Sequence, residues 1–246
     1  MERREAYPTD TQHIVNLSGY VWAATQLPGI DQMRVLDIAC GTGYGSDYLA
    51  GVARRVVGID LEPAVVARCR LRYPNARAQF NAMDGTALAF RSETFDAIVS
   101  QDTIEHVQDD HRFVTELSRV LRKGGTLVLF TPHGKERGRR PEDPYHIREY
   151  MPDELRDLLM PHFSMIRWYG RRQGARLKTV EGHLDAVRRW DPFALRRVVP
   201  RRLRHWIGSL VSRLQGGTSL RKILPKDIEY GEGIQEDTNL IAVCRK

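Results

Sequence analysis

Three features of this 246-residue chain predict a doubly wound α/β fold around a seven-stranded, mostly parallel sheet. Short apolar runs alternate with stretches of helical spacing. The runs are apolar throughout rather than at every second position, which marks strands covered on both faces. The first run leads directly into a glycine-rich turn, the kind of junction at which open parallel sheets bind ligands. With 41% hydrophobic and 28% charged residues, the chain can bury one full core and carry an extension.

In chain order, residues 33–39 predict the first strand. Gly41, Gly43 and Gly45 then free the backbone to bend and let a ligand approach, before a helix opens near Ser46. Residues 56–60 predict a second strand, and Pro63 suits the first position of a helix running to about Arg72. Residues 78–81, 97–100 and 126–131 are three further strands. Phe113, Leu117, Val120 and Leu121 fall at helical spacing before the last of these, with Gly124-Gly125 expected to end that helix. A helix over 152–160, a strand over 163–169 and a closing strand over 239–245 complete the pattern. The domain reading is a helical lead-in over 1–32, an α/β core over 33–170, a basic helical insert over 171–226, and the closing segment 227–246.

The insert is where the charge lies. Net charge is +7, yet residues 167–213 alone carry 13 basic side chains against 3 acidic ones. Leu203, Trp206, Ile207, Leu210, Val211 and Leu214 recur at helical spacing opposite Arg202, Arg204 and Arg213, predicting an amphipathic helix that Gly216-Gly217 would stop. Cys40, Cys69 and Cys244 are scattered without metal-ligand spacing, so reduced thiols are expected. From the charged start Met1-Glu2-Arg3-Arg4-Glu5 no signal peptide is expected, and no run reads as long enough to span a membrane. A cytoplasmic protein is expected.

Strand ends carry the candidate ligand residues. The stretch Val35-Leu-Asp-Ile-Ala-Cys-Gly-Thr-Gly-Tyr-Gly45 puts Asp37 before the glycine turn, where a carboxylate suits a ligand ammonium and would repel a pyrophosphate. Asp60 ends the second strand, placed to accept hydrogen bonds from ribose hydroxyls. Met83 and Asp84 follow the third, beside a base ring and its amino group. Ser100-Gln101-Asp102 ends the fourth. Acids and glycines in this order at successive strand ends indicate a nucleoside-cofactor site.

These stretches closely resemble class I S-adenosylmethionine-dependent methyltransferases. The first motif matches over 35–43, the following segment over 57–63, the fourth strand with its Ile-Glu-His-Val tail over 95–107, and Leu-Arg-Lys-Gly-Gly-Thr-Leu-Val over 117–128. The resemblance implies the Rossmann-like methyltransferase fold, S-adenosyl-L-methionine as cofactor, and Ala39, Cys40, Thr42 and Leu61 as further cofactor contacts. The helical lead-in around Tyr20 also resembles this family, with Gly19 standing where many members carry an arginine.

Methyl transfer from a sulfonium is an in-line displacement that mainly requires alignment, and only a weak nucleophile such as a hydroxyl needs a base. His106, His133 and His146 are the candidate bases, because imidazole titrates near neutral pH. Asp102, Glu105 and His106 would share one face of an α-helix, a spacing able to hold a divalent metal, although no metal is assigned. The expected activity is methylation of a small-molecule acceptor, at a hydroxyl oxygen of a sugar, glycolipid or secondary metabolite. The alternatives are N- or C-methylation of a small metabolite or quinone, or cofactor or nucleic-acid binding without turnover. For the basic insert, a lid or homodimer face and a peripheral contact with an anionic membrane are the leading expectations. Nucleic acid is disfavoured, because the fourth strand ends Ser-Gln-Asp rather than Asn-Pro-Pro-aromatic.

Overall fold

Eight strands form one sheet in a computed structural model that describes residues 10–138, 141, 143–173, 228–233 and 239–246. The elements run α1 (Asp10–Thr25), β1 (Arg34–Ile38), α2 (Tyr44–Val52), β2 (Arg55–Asp60), α3 (Pro63–Arg72), β3 (Ala78–Ala82) and β4 (Phe95–Gln101). They continue with α4 (Asp110–Val120), β5 (Leu121–Thr131), α5 (Pro152–Leu159), β6 (Met165–Gln173), β7 (Ile228–Glu232) and β8 (Asn239–Arg245). The sheet order is β3-β2-β1-β4-β5-β8-β6-β7. The first five of these strands are parallel, while β8 runs antiparallel to both β5 and β6.

One strand exceeds the expected seven. Ile228-Glu-Tyr-Gly-Glu carries two acids and a glycine in five residues, so it has no apolar run to read, and edge pairing alone makes it a strand. Its Tyr230 stacks on Trp22 of α1 with ring centroids 5.0 Å apart and shares a 2.7 Å hydrogen bond with Ser18.

Alternation along the central strands feeds two apolar layers. Leu36, Ile98 and Leu127 pack with Phe113 and Leu117 of α4 and Leu155 of α5. On the other face Val35, Ala97 and Val128 pack with Ala23 of α1 and Leu49 of α2. Burying each such large side chain stabilises by about 1.5–3 kcal/mol, which holds the strand ends in fixed register.

α4 departs from expectation at its end. It stops at Val120 and β5 begins at Leu121 with no loop between, so Gly124-Gly125 lies inside the strand rather than capping the helix. The pairing of β4 with β5 jumps from Phe95↔Leu121 to Ala97↔Thr126, and Gly124, at φ 69°, takes the bend.

Residues Asn16–Arg172 and Tyr230–Lys246 form one compact unit, which contains the sheet core and every candidate site residue; residues 1–15 and 173–229 form a second. The amphipathic stripe from Leu203 to Leu214, the arginines opposite it, and residues 174–227 as a whole lie outside the described residues. Among the described residues, no helix is long and apolar enough to cross a membrane.

Candidate functional site

The parallel strands deliver their ends to one edge, and the first of these ends is open. Ala39 and Gly41 both sit at positive φ, 55° and 52°. A Cβ built on Gly41 would meet nothing within 4 Å, so the turn borders free space. The other two glycines serve packing rather than ligand approach. A Cβ on Gly43, the α2 N-cap, would lie 2.9 Å from Cys69 Sγ, and one on Gly45 would lie 2.1 Å from the Tyr20 ring.

Asp60 ties the turn to the second strand end. Its Oδ2 accepts the Gly41 N–H at 2.9 Å and its Oδ1 the Glu62 N–H at 3.1 Å. Each oxygen keeps a second lone pair for a ligand hydroxyl. Next to it Leu61 is 69% exposed, an apolar side chain held out at a strand end. Cys40 is buried and donates its N–H to Ile59 O at 2.8 Å, while Thr42 lies exposed on the turn. Met83 donates its N–H to Asp60 O at 2.9 Å, and Asp84 is exposed, its Oδ1 accepting from the Thr86 N–H and hydroxyl.

Asp37 is engaged by the protein itself. It is fully buried, with Oδ1 accepting from the Tyr20 hydroxyl at 3.1 Å and Oδ2 from the Ser46 hydroxyl at 2.5 Å. Burial pushes its carboxyl up to about 7; the Asp60 charge adds to the rise, and the two hydroxyl bonds oppose it. Tyr20 is buried likewise, so this pair braces α1, β1 and α2 behind the turn. Gly19 has a separate role that its sequence position does not reveal. A Cβ there would lie 2.1 Å from Gln101 Oε1, an atom that is buried without a hydrogen-bond partner while Gln101 Nε2 donates to Asn16 O at 3.1 Å.

Beyond β4 and β5 lie the acceptor-side candidates. Asp102 sits at φ 48° and accepts from Asn239 Nδ2 at 3.3 Å. Ile104–His106 is a single 3-10 turn, so the α-helical face expected to join Asp102, Glu105 and His106 does not form. Glu105 and His106 instead meet His146, each offering one ligand atom, all within 4.8 Å of one another. Burial and the Asp102 charge push the Glu105 carboxyl up to about 8. His133 lies two residues past β5, bridged to Tyr150, with its Nδ1 buried and unpartnered.

A loop no spacing argument connects to Glu105 is pinned there. The Ile147 and Arg148 N–H groups donate to Glu105 O at 2.8 and 3.4 Å. Arg148 Nη1 and the Tyr150 hydroxyl both donate to the buried Asp110 Oδ2, at 2.5 and 2.8 Å. Asp110, Arg148 and Tyr150 were not candidates from sequence. About 40 residues separate the partners, and a lone acid at a helix start reads as an ordinary cap.

Comparison with known proteins agrees with this geometry. Residues 36–129 match the model of the methyltransferase domain family. A probable S-adenosylmethionine-dependent methyltransferase of Mycolicibacterium smegmatis is 39% identical over 131 residues, covering 51% of this chain and 49% of that one. A ubiquinone biosynthesis O-methyltransferase of Xanthomonas campestris is 34% identical over 115 residues, covering 46% and 47%. The chain thus spans about half the length of these curated relatives. In fold it is similar to the crystal structure of a Thermotoga maritima S-adenosylmethionine-dependent methyltransferase, with a TM-score of 0.62 at 18% identity, over 95% of this chain and 90% of that one.

A doubly wound sheet with an acid-and-glycine turn at its first strand end defines a nucleoside-cofactor protein. Residues 36–129 carry a methyltransferase domain, and the chain is similar to S-adenosylmethionine-dependent methyltransferases. The residues present fit the family's cofactor, S-adenosyl-L-methionine: free space over Gly41, spare lone pairs on Asp60, the exposed Leu61, and the unpartnered Gln101 Oε1.

Proposed function

We propose that this chain transfers the methyl group of S-adenosyl-L-methionine to a hydroxyl oxygen of a small-molecule acceptor, a sugar, glycolipid or secondary metabolite. The observation that carries the acceptor side is the meeting of His106 and His146 beyond β4, with His133 two residues past the end of β5. When bound, the cofactor supplies an electrophilic methyl on an excellent leaving group. Asp60, Leu61, Asp84 and Gln101 hold and orient it, and the braced turn at Gly41 lets it approach the backbone. The chain's remaining tasks are alignment, worth up to about 7–11 kcal/mol, and acceptance of the hydroxyl proton. His133 takes that proton, while His106 and His146 form the polar wall that orients the acceptor oxygen. An O-methyltransferase among the relatives supports oxygen as the acceptor atom.

The test has two parts. Calorimetric titration with S-adenosyl-L-methionine reads the cofactor site. Release of S-adenosylhomocysteine is then followed with hydroxylated acceptors, amines and hydroquinones. Turnover is expected with a hydroxylated acceptor, and His133→Gln should lower kcat by about 10²–10⁴-fold with cofactor affinity intact. Turnover with amines alone, or undiminished kcat in the variant, would overturn the reading.

A further inference from the structure

We propose that Glu105, His106 and His146 hold a divalent transition-metal ion with an open coordination position. Each residue offers a ligand atom, all within 4.8 Å of one another, and hydrogen bonds to Nδ1 bear on the tautomer of both imidazoles. His106 Nδ1 is 2.9 Å from Tyr145 O, and a carbonyl can only accept, so Nδ1 carries the proton and Nε2 keeps its lone pair. His146 Nδ1 is 3.0 Å from Glu149 Oε1, an acceptor that favours the same assignment, and its Nε2 stands 3.9 Å from Asp143 Oδ2. An imidazole that donates one N–H to a carboxylate or backbone carbonyl presents its other nitrogen as a fixed, more basic ligand.

Glu105 completes the set. Its Oε2 accepts from the Thr131 hydroxyl at 2.9 Å, while Oε1 is buried with no hydrogen-bond partner. A buried carboxylate oxygen left without a donor is costly in a hydrocarbon-like setting, and a cation beside it removes that cost. The two imidazoles lie 4.9 Å apart, centroid to centroid, at an interplanar angle of 68°. Ligands at about 2.0–2.2 Å from an ion stand about 3.4 Å from one another, so closing the site takes a contraction on the order of 1 Å. The turn and the loop that would move are already joined through Glu105 O.

Two imidazoles and one carboxylate suit zinc, cobalt, manganese or ferrous iron over calcium or magnesium. Three protein ligands leave a position open, the pattern of a working site rather than a structural one. An acceptor hydroxyl fits that position, and the ion would make it more acidic. This use rests on the methyl-transfer reading; the site itself does not.

The test uses the full chain, stripped with a chelator and titrated with Co²⁺ and Zn²⁺. One Co²⁺ per chain is expected, with visible bands of a nitrogen-and-oxygen site and no thiolate charge-transfer band, together with a Zn²⁺-dependent rise in Tm. His106→Gln and His146→Gln should each weaken the metal by at least about tenfold, and Glu149→Gln by about tenfold through the orientation of His146. Titration of each variant with S-adenosyl-L-methionine reports folding. No saturable binding to the wild type, a thiolate band, or unchanged affinity in both histidine variants would overturn the site. Cofactor binding by the metal-free wild type is scored separately, so failure of the metal site and failure of the methyl-transfer reading are distinguishable.

Discussion

Between Arg34 and Thr86 the candidate ligand residues are fixed by backbone groups close in sequence or on the neighbouring strand: Asp60 by the Gly41 and Glu62 N–H groups, and Asp84 by Thr86. Between Asp102 and Tyr150 the connections instead span 38 to 40 residues, joining Asp110 to Arg148 and Tyr150, and His106 to Tyr145. One half of the carboxyl edge is thus built from strand geometry and the other from a loop folded back onto a turn. On the function proposed above, a loop held by a few side chains is free to vary with the acceptor while the strand-built half keeps the cofactor.

The largest expected effect lies behind the cofactor half. Burial holds the Asp37 carboxyl at about 7, above its ordinary value of 3.8, so the folded state binds the extra proton and gains stability at low pH. That contribution is fully present below about pH 4 and lost as pH rises through about 7, by up to about 4 kcal/mol. Asp37→Asn should therefore flatten the pH dependence of urea midpoints between pH 4 and 8. The difference from wild type is the quantity to measure, because Glu105 is raised as well. Parallel profiles for the two proteins would refute the assignment.

Asp60→Ala tests the same half by binding. It removes the acceptor for two N–H groups and for the ligand, and should weaken S-adenosyl-L-methionine by about 100-fold, with each lost charge-assisted bond worth about 1.5–3 kcal/mol. A tenfold or smaller change would place the nucleoside elsewhere.

In the acceptor half, Asp110→Asn weakens the anchor for Arg148 and Tyr150 at a cost of about 1–2 kcal/mol. Acceptor KM should rise several-fold while calorimetric cofactor affinity stays put; loss of both together would show that the two halves are coupled. The smallest effect belongs to Tyr145→Ser. That side chain is 65% exposed and His106 bonds only its backbone carbonyl, so Tm should stay within the range expected for about 0.5 kcal/mol. A larger drop would mean the ring is packed.

The contrast also explains what could be read beforehand. Pro63 opening α3 and the acid at the end of β2 were legible because each depends on local chemistry, a fixed φ or a strand terminus. Asp37 was legible as a site residue but not as a buried brace, since its partners Tyr20 and Ser46 come from two different helices. The expected face of Asp102, Glu105 and His106 failed because it presumed an α-helix where the chain makes one 3-10 turn. β7 was missed because edge strands need no apolar pattern.

By itself, the sequence determined the doubly wound order of strands and helices, the glycine turn, and the acids that end the parallel strands. Apolar period and backbone permissiveness are properties of adjacent residues. Only the tertiary structure decided that Glu105 meets His146, that Gly19 makes room for Gln101, and that Gly45 yields to Tyr20. Those outcomes depend on how packed layers bring distant segments to within a few ångströms, a distance that no spacing along the chain encodes.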